Sequence, residues 1–476
     1  RLDNPYLVCT HIHALVLETM GQAGGERLPS RPSELLDLEL GNYPLRPDLA
    51  AAWRNSLERQ HAAICQAVYE AFVPEMSTFE WFTTDFVERT VRAFMDDLDQ
   101  AMERWRAEYQ RLDAERESLN LILGRENVDP TMSRRRQVIE KKLEEMRNGE
   151  GDWYVYRYLG SEGFLPSYAF PPEAAHLSFD MLEDELARGP AIAMSEYAPG
   201  NFVYYRGERF EVTHGRPKTR QLEPYTEWVL VCPSCERCYM GEQAVNRAAC
   251  ECGQSLEAAH PRMGMPLCDM FAMRRARITA DEEERLRLGY EITPHYMRGG
   301  YSRRFDVCAG ERVLLTLSLE NEGEIMLINR GARRPQEQST GFTLCRKCYA
   351  WLLTDEAERD HVHTINQQGE CLQGARQDDL MHGIWLTHLQ RSDLTIFDVP
   401  LPAGVQPEVF YTTLKNALLR ALMVTFQVDE SELGGFLFPD PANPQYSRII
   451  LYETSIGGSG VLSALSEPDR MNALFT

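Results

Sequence analysis

The chain has 476 residues, 43% of them hydrophobic and 26% charged, with a formal net charge of −22. That length exceeds one ordinary core and predicts two to four packed units, and no apolar run approaches the roughly 18 residues that span a bilayer, which excludes a membrane-embedded class. The negative charge excludes a general nucleic-acid wrapper, because phosphate contacts need an extended surface of Lys and Arg.

The sequence opens Arg1-Leu2-Asp3-Asn4-Pro5, with neither an initiator Met nor a charged-then-apolar leader, so it reads as a cytoplasmic piece of something longer. Residues 1–86 are mixed helix and loop, with turn signals at Gly24-Gly25 and between Pro29 and Pro32. From 87 to 146, Val91, Phe94, Met95, Leu98, Met102 and Trp105 recur at helical spacing among many charges, predicting a long amphipathic helix. A break at Asn127-Val128-Asp129-Pro130 turns the chain, and 136–147 returns as the second arm of a hairpin. Its dense charge predicts a strut with one side in water.

Beyond 152 the period changes to two. Alternations at 202–205, 209–212 and 228–231 predict a small antiparallel β unit. A charged helix is expected at 278–288, then paired strands at 312–317 and 325–329 with 320–324 turning between them. A strand at 385–399, a helix at 407–424 and a buried strand at 447–452 suggest an α/β layer, closing on Gly457-Gly458-Ser459-Gly460 and a further helix start. The expected class is thus α+β and multidomain, with a helical N-terminal part and its hairpin, a small antiparallel β module and a C-terminal zinc-stapled α/β domain. The expected units are 1–86, a helical part; 87–150, the hairpin arm; 151–230, the β module; 231–344, a first zinc-cluster and β region; and 345–476, the zinc-binding α/β domain.

Twelve cysteines, several in CxxC pairs and with no leader before them, read as metal ligands rather than disulfides. Cys232 and Cys235 are followed after fourteen residues by Cys250 and Cys252. Zinc takes four soft or nitrogen ligands in a tetrahedron, and a CxxC turn supplies two thiolates on one side. Cys238 and Cys268 are alternative members. A second cluster comprises Cys345, Cys348, His361 or His363, and Cys371, with His363 the preferred imidazole. Neither cluster offers a carboxylate beside an open position, so both zinc sites read as structural. Cys9, Cys65 and Cys308 read as core thiols.

DNA contact, if any, must be local. The candidate basic groups are Arg134 to Arg136; Arg274, Arg275 and Arg277; Arg298, Arg303 and Arg304; and Arg330, Arg333 and Arg334, each equally readable as a solvated face. The amides of Gly457, Gly458 and Gly460 suggest a nest for a DNA phosphate, with a plain tight turn as the competing reading.

Three segments then carry a family resemblance. The first is Gly-Phe-Leu-Pro-Ser-Tyr-Ala-Phe-Pro at 163–171, with Glu-Tyr-Ala-Pro-Gly-Asn-Phe-Val-Tyr at 196–204 and Gly207. The second is Gly-Phe-Thr-Leu-Cys-Arg-Lys-Cys at 341–348 with its downstream His and Cys. The third is 388–393, the helix around 413–422, and Ile-Leu-Tyr-Glu-Thr-Ser-Ile-Gly-Gly-Ser-Gly at 450–460. In this order they resemble the large superfamily 2 helicases that end in an MrfA-type zinc-binding domain, a group including bacterial DNA-repair and anti-phage defence helicases. The family usually carries Asp where Glu453 stands. The resemblance implies a zinc-stabilised accessory region that guides or grips DNA, single-stranded, beside helicase motor domains in anti-phage defence, with 1–86, where Asn4-Pro5 and His11 to Leu15 are similar to that family's text, as the helical exit from the motor region.

No Walker A loop, DExH box or arginine-finger motif occurs, so ATP and Mg²⁺ are expected only through a motor outside these residues. A reading from another class is a non-enzymatic scaffold, similar to the zinc-binding subunit of the DISARM defence system, that binds a separate helicase and other defence subunits. A stand-alone zinc hydrolase fits poorly.

Overall fold

The structure is a computed structural model. It describes residues 5–22, 27–73, 76, 79, 81–123, 130–166, 174–180, 182, 184–217, 226–277, 289–298, 301–333, 341–354, 357–358, 361, 379–440, 443, 446–454 and 460–475.

Helices dominate as far as residue 161. In order they are α1 (Pro5–Gln22), α2 (Pro32–Leu35), α3 (Pro47–Ala71), α4 (Thr84–Ala101), α5 (Glu103–Leu123), α6 (Pro130–Asn148) and α7 (Val155–Ser161). Proline opens α2 and α3, where its missing N–H has no intrahelical partner to lose. Thr83 caps α4 by accepting from the Phe86 N–H at 3.2 Å. The apolar stripe Val87, Val91, Phe94, Leu98 is buried against Trp53, Ile12 and Val16, and this shared core continues through Trp105 and Leu112 to Ile139 and Leu143. The first arm expected from residue 87 is therefore two helices, α4 with its C-cap at Met102 and α5, and α5 with α6 forms the expected hairpin.

The strands follow as β1 (Ala175–Phe179), β2 (Glu185–Arg188), then after α8 (Pro190–Glu196), β3 (Phe202–Tyr205), β4 (Glu208–Arg216), β5 (Glu227–Val231) and β6 (Cys238–Met240). Past α9 (Glu242–Asn246) come β7 (Arg262–Pro266), β8 (Asp269–Arg277), β9 (Tyr290–Arg298), β10 (Tyr301–Ala309), β11 (Arg312–Ala332), β12 (Phe342–Cys345), β13 (Trp351–Leu352) and β14 (Leu380–Asp398). The chain closes with α10 (Pro407–Phe426), β15 (Leu433–Pro439), β16 (Ser447–Glu453) and α11 (Pro468–Phe475). One sheet runs β2-β1-β8-β4-β3; the larger one has the path β10-β11-β14-β7-β5-β6, with β9 joined to β11 and β16 to β14. The protein is thus α+β, with a helical N-terminal part and sheets thereafter. The charged segment 278–288 lies outside the described residues.

β11 corrects the expected hairpin at 320–324. It is one 21-residue strand, paired to β10 on its first half, to β9 on its second, and to β14 along both. A bulge between Glu320 and Gly323 absorbs the polar residues that read as a turn. Gly323 is needed for another reason: a Cβ there would overlap the Leu394 side chain on β14.

The hairpin's charges also find a destination other than water. Arg104 on α5 bridges Glu162 at 2.9 Å and Asp269 of β8 at 2.7 Å. Arg111 reaches Glu108 at 2.7 Å, Arg135 on α6 reaches Glu115 at 2.7 Å, and Lys142 pairs with Glu185 of β2. Arg216 of β4 completes the group, bonded to Ser178 and lying 4.3 Å above the Phe271 ring. Burial opposes the charges on Arg104, Glu108, Arg111, Glu115, Glu185 and Arg216. The cations nonetheless hold Glu108 well below the usual carboxylate range, while desolvation and the nearby Arg111 bring Arg216 down to about 10. Breaking one partner of such a network leaves a buried charge uncompensated, so the hairpin is fastened to the smaller sheet.

Candidate metal centres

Two strand-turn units of the same design carry the CxxC pairs. In the first, β5 runs into Cys232 and β6 leaves from Cys238, with Val231 opposite Cys238. The Cys232 N–H donates to the Arg237 carbonyl at 2.9 Å and the Glu236 N–H to the Cys232 carbonyl at 2.9 Å. Closing that turn drives Glu236 to φ +58, left-handed for a non-glycine residue. In the second, β12 ends on Cys345 and β13 follows. The Cys345 N–H donates to Ala350 and the Tyr349 N–H to Cys345, both at 2.9 Å, with Tyr349 at φ +60. The same bonds at the same offsets turn both thiols of each pair to one side.

A second turn completes the first cluster. The Cys250 N–H donates to Gln254 and the Gly253 N–H to Cys250, at 2.8 and 2.9 Å, with Gly253 at φ +86, which glycine adopts without strain. The four sulfurs of Cys232, Cys235, Cys250 and Cys252 lie within 4.8 Å of one another. Cys232 Sγ stands 3.7 Å from Cys252 Sγ, and Cys235 Sγ 3.5 Å from Cys250 Sγ. Zinc–sulfur bonds of about 2.3 Å at tetrahedral angles give an edge of about 3.8 Å. The spacing therefore fits a tetrahedral thiolate site and is far too long for disulfides of about 2.05 Å. Cys238 and Cys268 are buried elsewhere in the core and do not join.

In the second cluster Cys345, Cys348 and His361 come within 4.8 Å, with Cys348 Sγ 3.2 Å from His361 Nε2. The imidazole brought in is His361, the alternative to the preferred His363. His363 and Cys371 lie outside the described residues.

Ionisation within each cluster is uneven. Burial raises the Cys250 thiol, but the Cys252 amide and the Tyr239 hydroxyl outweigh it and bring it to about 7. Burial, aided by the neighbouring thiols, pushes Cys235 well up. Cys345 is brought to about 5, first by its bond with Cys348, whose own thiol is held high in return. One thiolate forms easily and its neighbour resists, as expected of like charges crowded together. A dication reverses that cost for all of them, which is the chemistry such a donor set suits. The described ligands include no carboxylate, so the arrangement can staple loops.

Sequence reasoning missed the surroundings of the first cluster. The Tyr239 hydroxyl is 3.0 Å from Cys250 Sγ and accepts from the Glu251 N–H at 3.2 Å. His295, 1% exposed, donates from Nδ1 to the carbonyl of left-handed Glu236 at 2.9 Å. No local spacing signals either contact.

The candidate DNA residues scatter. Arg303 and Arg304 are exposed on β10, at one end of the larger sheet's path, and Arg333 is exposed. The Arg298 side chain and the whole of Arg334 lie outside the described residues. Among the other basic groups, Arg135 is in the buried network, Arg274 and Arg275 pair with Glu208 and Glu211, and Arg330 lies 5.2 Å above Trp385.

The glycine turn before α11 is corrected where it is described. Glu453, fully buried, accepts from the Gly460 N–H at 3.0 Å and the Leu462 N–H at 2.8 Å. The Gly460 amide expected to meet a phosphate is thus taken by an internal carboxylate, while Gly457 and Gly458 lie outside the described residues. Cys308, expected in the core, is exposed at a bulge in β10.

No protein-family model and no curated protein matches the chain. Among solved structures it is similar to the DUF1998 helicase MrfA bound to DNA, at 8% identity over 73% of this chain and 37% of that one, with a TM-score of 0.29. It is also similar to MrfA bound to DNA and AMPPNP, at 8% identity over 72% and 36% of the two chains, with a TM-score of 0.21. The chain spans little more than a third of those proteins, and scores this low carry no argument.

Proposed function

We propose that this chain is a zinc-stabilised accessory region of an ATP-dependent DNA helicase or translocase, which guides or grips single-stranded DNA in anti-phage defence. The observation that carries it is the strand-turn unit presenting Cys345 and Cys348, which stands where the sequence resembles the MrfA-type helicases, together with a second unit of the same design presenting Cys232 and Cys235. Zinc would be held by Cys232, Cys235, Cys250 and Cys252 in one centre, and by Cys345, Cys348, His361 and Cys371 in the other. Its role is mechanical: it fixes turns that bury too little apolar surface to hold their shape. ATP and Mg²⁺ would belong to motor domains outside these residues, whether in the same parent protein or in a partner subunit.

DNA contact falls to Arg303, Arg304 and Arg333, with Arg298 and Arg334 beside them in sequence. Fluorescence anisotropy with a labelled single-stranded oligonucleotide tests the reading. Binding should weaken as salt rises, because cations on phosphates release counterions. It should drop when Arg303 and Arg304 are both made Ala, and when a chelator removes zinc. Binding indifferent to all three would sink the DNA-gripping role, and co-purification with an independent ATPase would favour the scaffold reading.

A further inference from the structure

The Tyr239 hydroxyl has two partners, and their chemistry fixes its direction. The Glu251 N–H can only donate, so it uses a lone pair of the phenol oxygen at 3.2 Å. The phenol proton is left for Cys250 Sγ, 3.0 Å away. A metal-bound thiolate has no proton of its own and can only accept. The ring is held as well: it is 4% exposed, and the Arg247 guanidinium lies 4.4 Å above it. Arg237, between β5 and β6, grips Glu251 at 2.5 Å and so ties the turn that bears Cys250 and Cys252 to the hairpin that bears the other two ligands, while Arg247, just after α9, holds the same carboxylate at 3.3 Å.

We propose that Tyr239 is a positioning residue of the first metal centre, holding the Cys250 thiolate at its vertex and slowing its dissociation from the metal. The inference rests on the zinc reading of this cluster and deepens it. A thiolate leaves zinc by turning away and taking a proton or another partner. A donor that shares its charge and fixes its Cβ–Sγ direction opposes the first motion and weakens the drive for the second. Outer-shell bonds of this kind typically alter metal affinity about 10–100-fold. In the second unit the position that corresponds to Tyr239, seven residues after the first cysteine of the CxxC pair, is Leu352, which carries no hydroxyl, so the two centres should differ in how the change affects them.

The test is zinc release from the whole chain, followed with a chromogenic chelator in wild type, Tyr239→Phe and Tyr290→Phe. Tyr239→Phe keeps the packed ring and removes one oxygen. Tyr290→Phe removes a buried hydroxyl that donates to the Pro199 carbonyl at 3.0 Å, and controls for general loosening. Tyr239→Phe should bind the full zinc complement yet release one of the two ions about 10–100-fold faster, with the other phase and the control unmoved. Equal rates in all three proteins, or an equal acceleration in the control, would overturn the proposal while leaving the centre intact. Wild type without zinc would overturn the metal reading itself. Should Tyr239→Phe fold poorly, Tyr239→Trp, which keeps a bulky ring and an N–H donor, serves instead; release slower than from Tyr239→Leu supports the role, and equal release contradicts it.

Discussion

His295 shows how a single buried side chain can report on a whole turn. Its Nδ1–H donates to Glu236, and its Nε2 meets the Thr293 hydroxyl at 2.8 Å and the Arg330 guanidinium at 3.4 Å. The ring is therefore neutral, with Nε2 as acceptor, the tautomer that this bonding pattern assigns. Burial and the nearby Arg330 depress its pKa to about 4, from an ordinary 6.5. Between those values the unfolded chain holds a proton that the folded chain refuses, so stability falls as pH drops from about 6.5 towards 4. The loss is on the order of 3 kcal/mol across that window. His295→Gln should flatten this dependence in urea unfolding at pH 7 and pH 5. Acid competition at the thiolates is common to both proteins and cancels in the comparison; parallel pH slopes would contradict the assignment. Glu453 is a second residue of this kind. A carboxylate with both oxygens on backbone amides rigidifies the start of the C-terminal segment, and no phosphate is needed there.

At the scale of elements, β11 is the instructive case. Its polar Asn321-Glu322-Gly323-Glu324 stretch has the composition of a turn, yet pairing on both edges keeps it extended. Gly323 serves close approach to Leu394, not chain reversal. Gly323→Ala should destabilise by about 1–3 kcal/mol, the range for overpacking a filled core. Measured in a Leu394→Ala background, the same glycine substitution should cost less, because the overlapping group is gone. A turn at this point would predict a small effect and no difference between backgrounds.

The contrast shows what sequence makes legible. The CxxC pairs were readable because a turn of fixed length brings their ligands together locally, and strands such as β3, β4 and β5 announced themselves by alternation. The helix break at Met102 was not, because an apolar stripe runs across it unbroken. The ion network was invisible for a different reason: Arg104 and Asp269 stand 165 positions apart, and charge composition alone says only that a helix is polar. That His361 would meet Cys348 was likewise not settled by spacing, since two histidines stand two residues apart in sequence.

For the whole molecule, these pieces describe a platform held together by polar devices as much as by apolar cores. The helical part is fastened to the smaller sheet by buried ion pairs between α5, α6 and strands β2, β4 and β8. Cys232, Cys235 and Cys250 belong to the hydrophobic core shared with β4, β8 and β14, while Cys252 and its turn lie at the edge of that core. Loss of metal there should propagate into the surrounding sheet and should not be confined to a surface turn.

The central claim is that both clusters hold structural zinc, and the direct measurement is metal content per chain by elemental mass spectrometry, repeated with Cys235→Ser and Cys348→Ser. The account predicts two zinc ions per wild-type chain and one in each variant. Fewer than one zinc per wild-type chain, or variants that retain both, would contradict it.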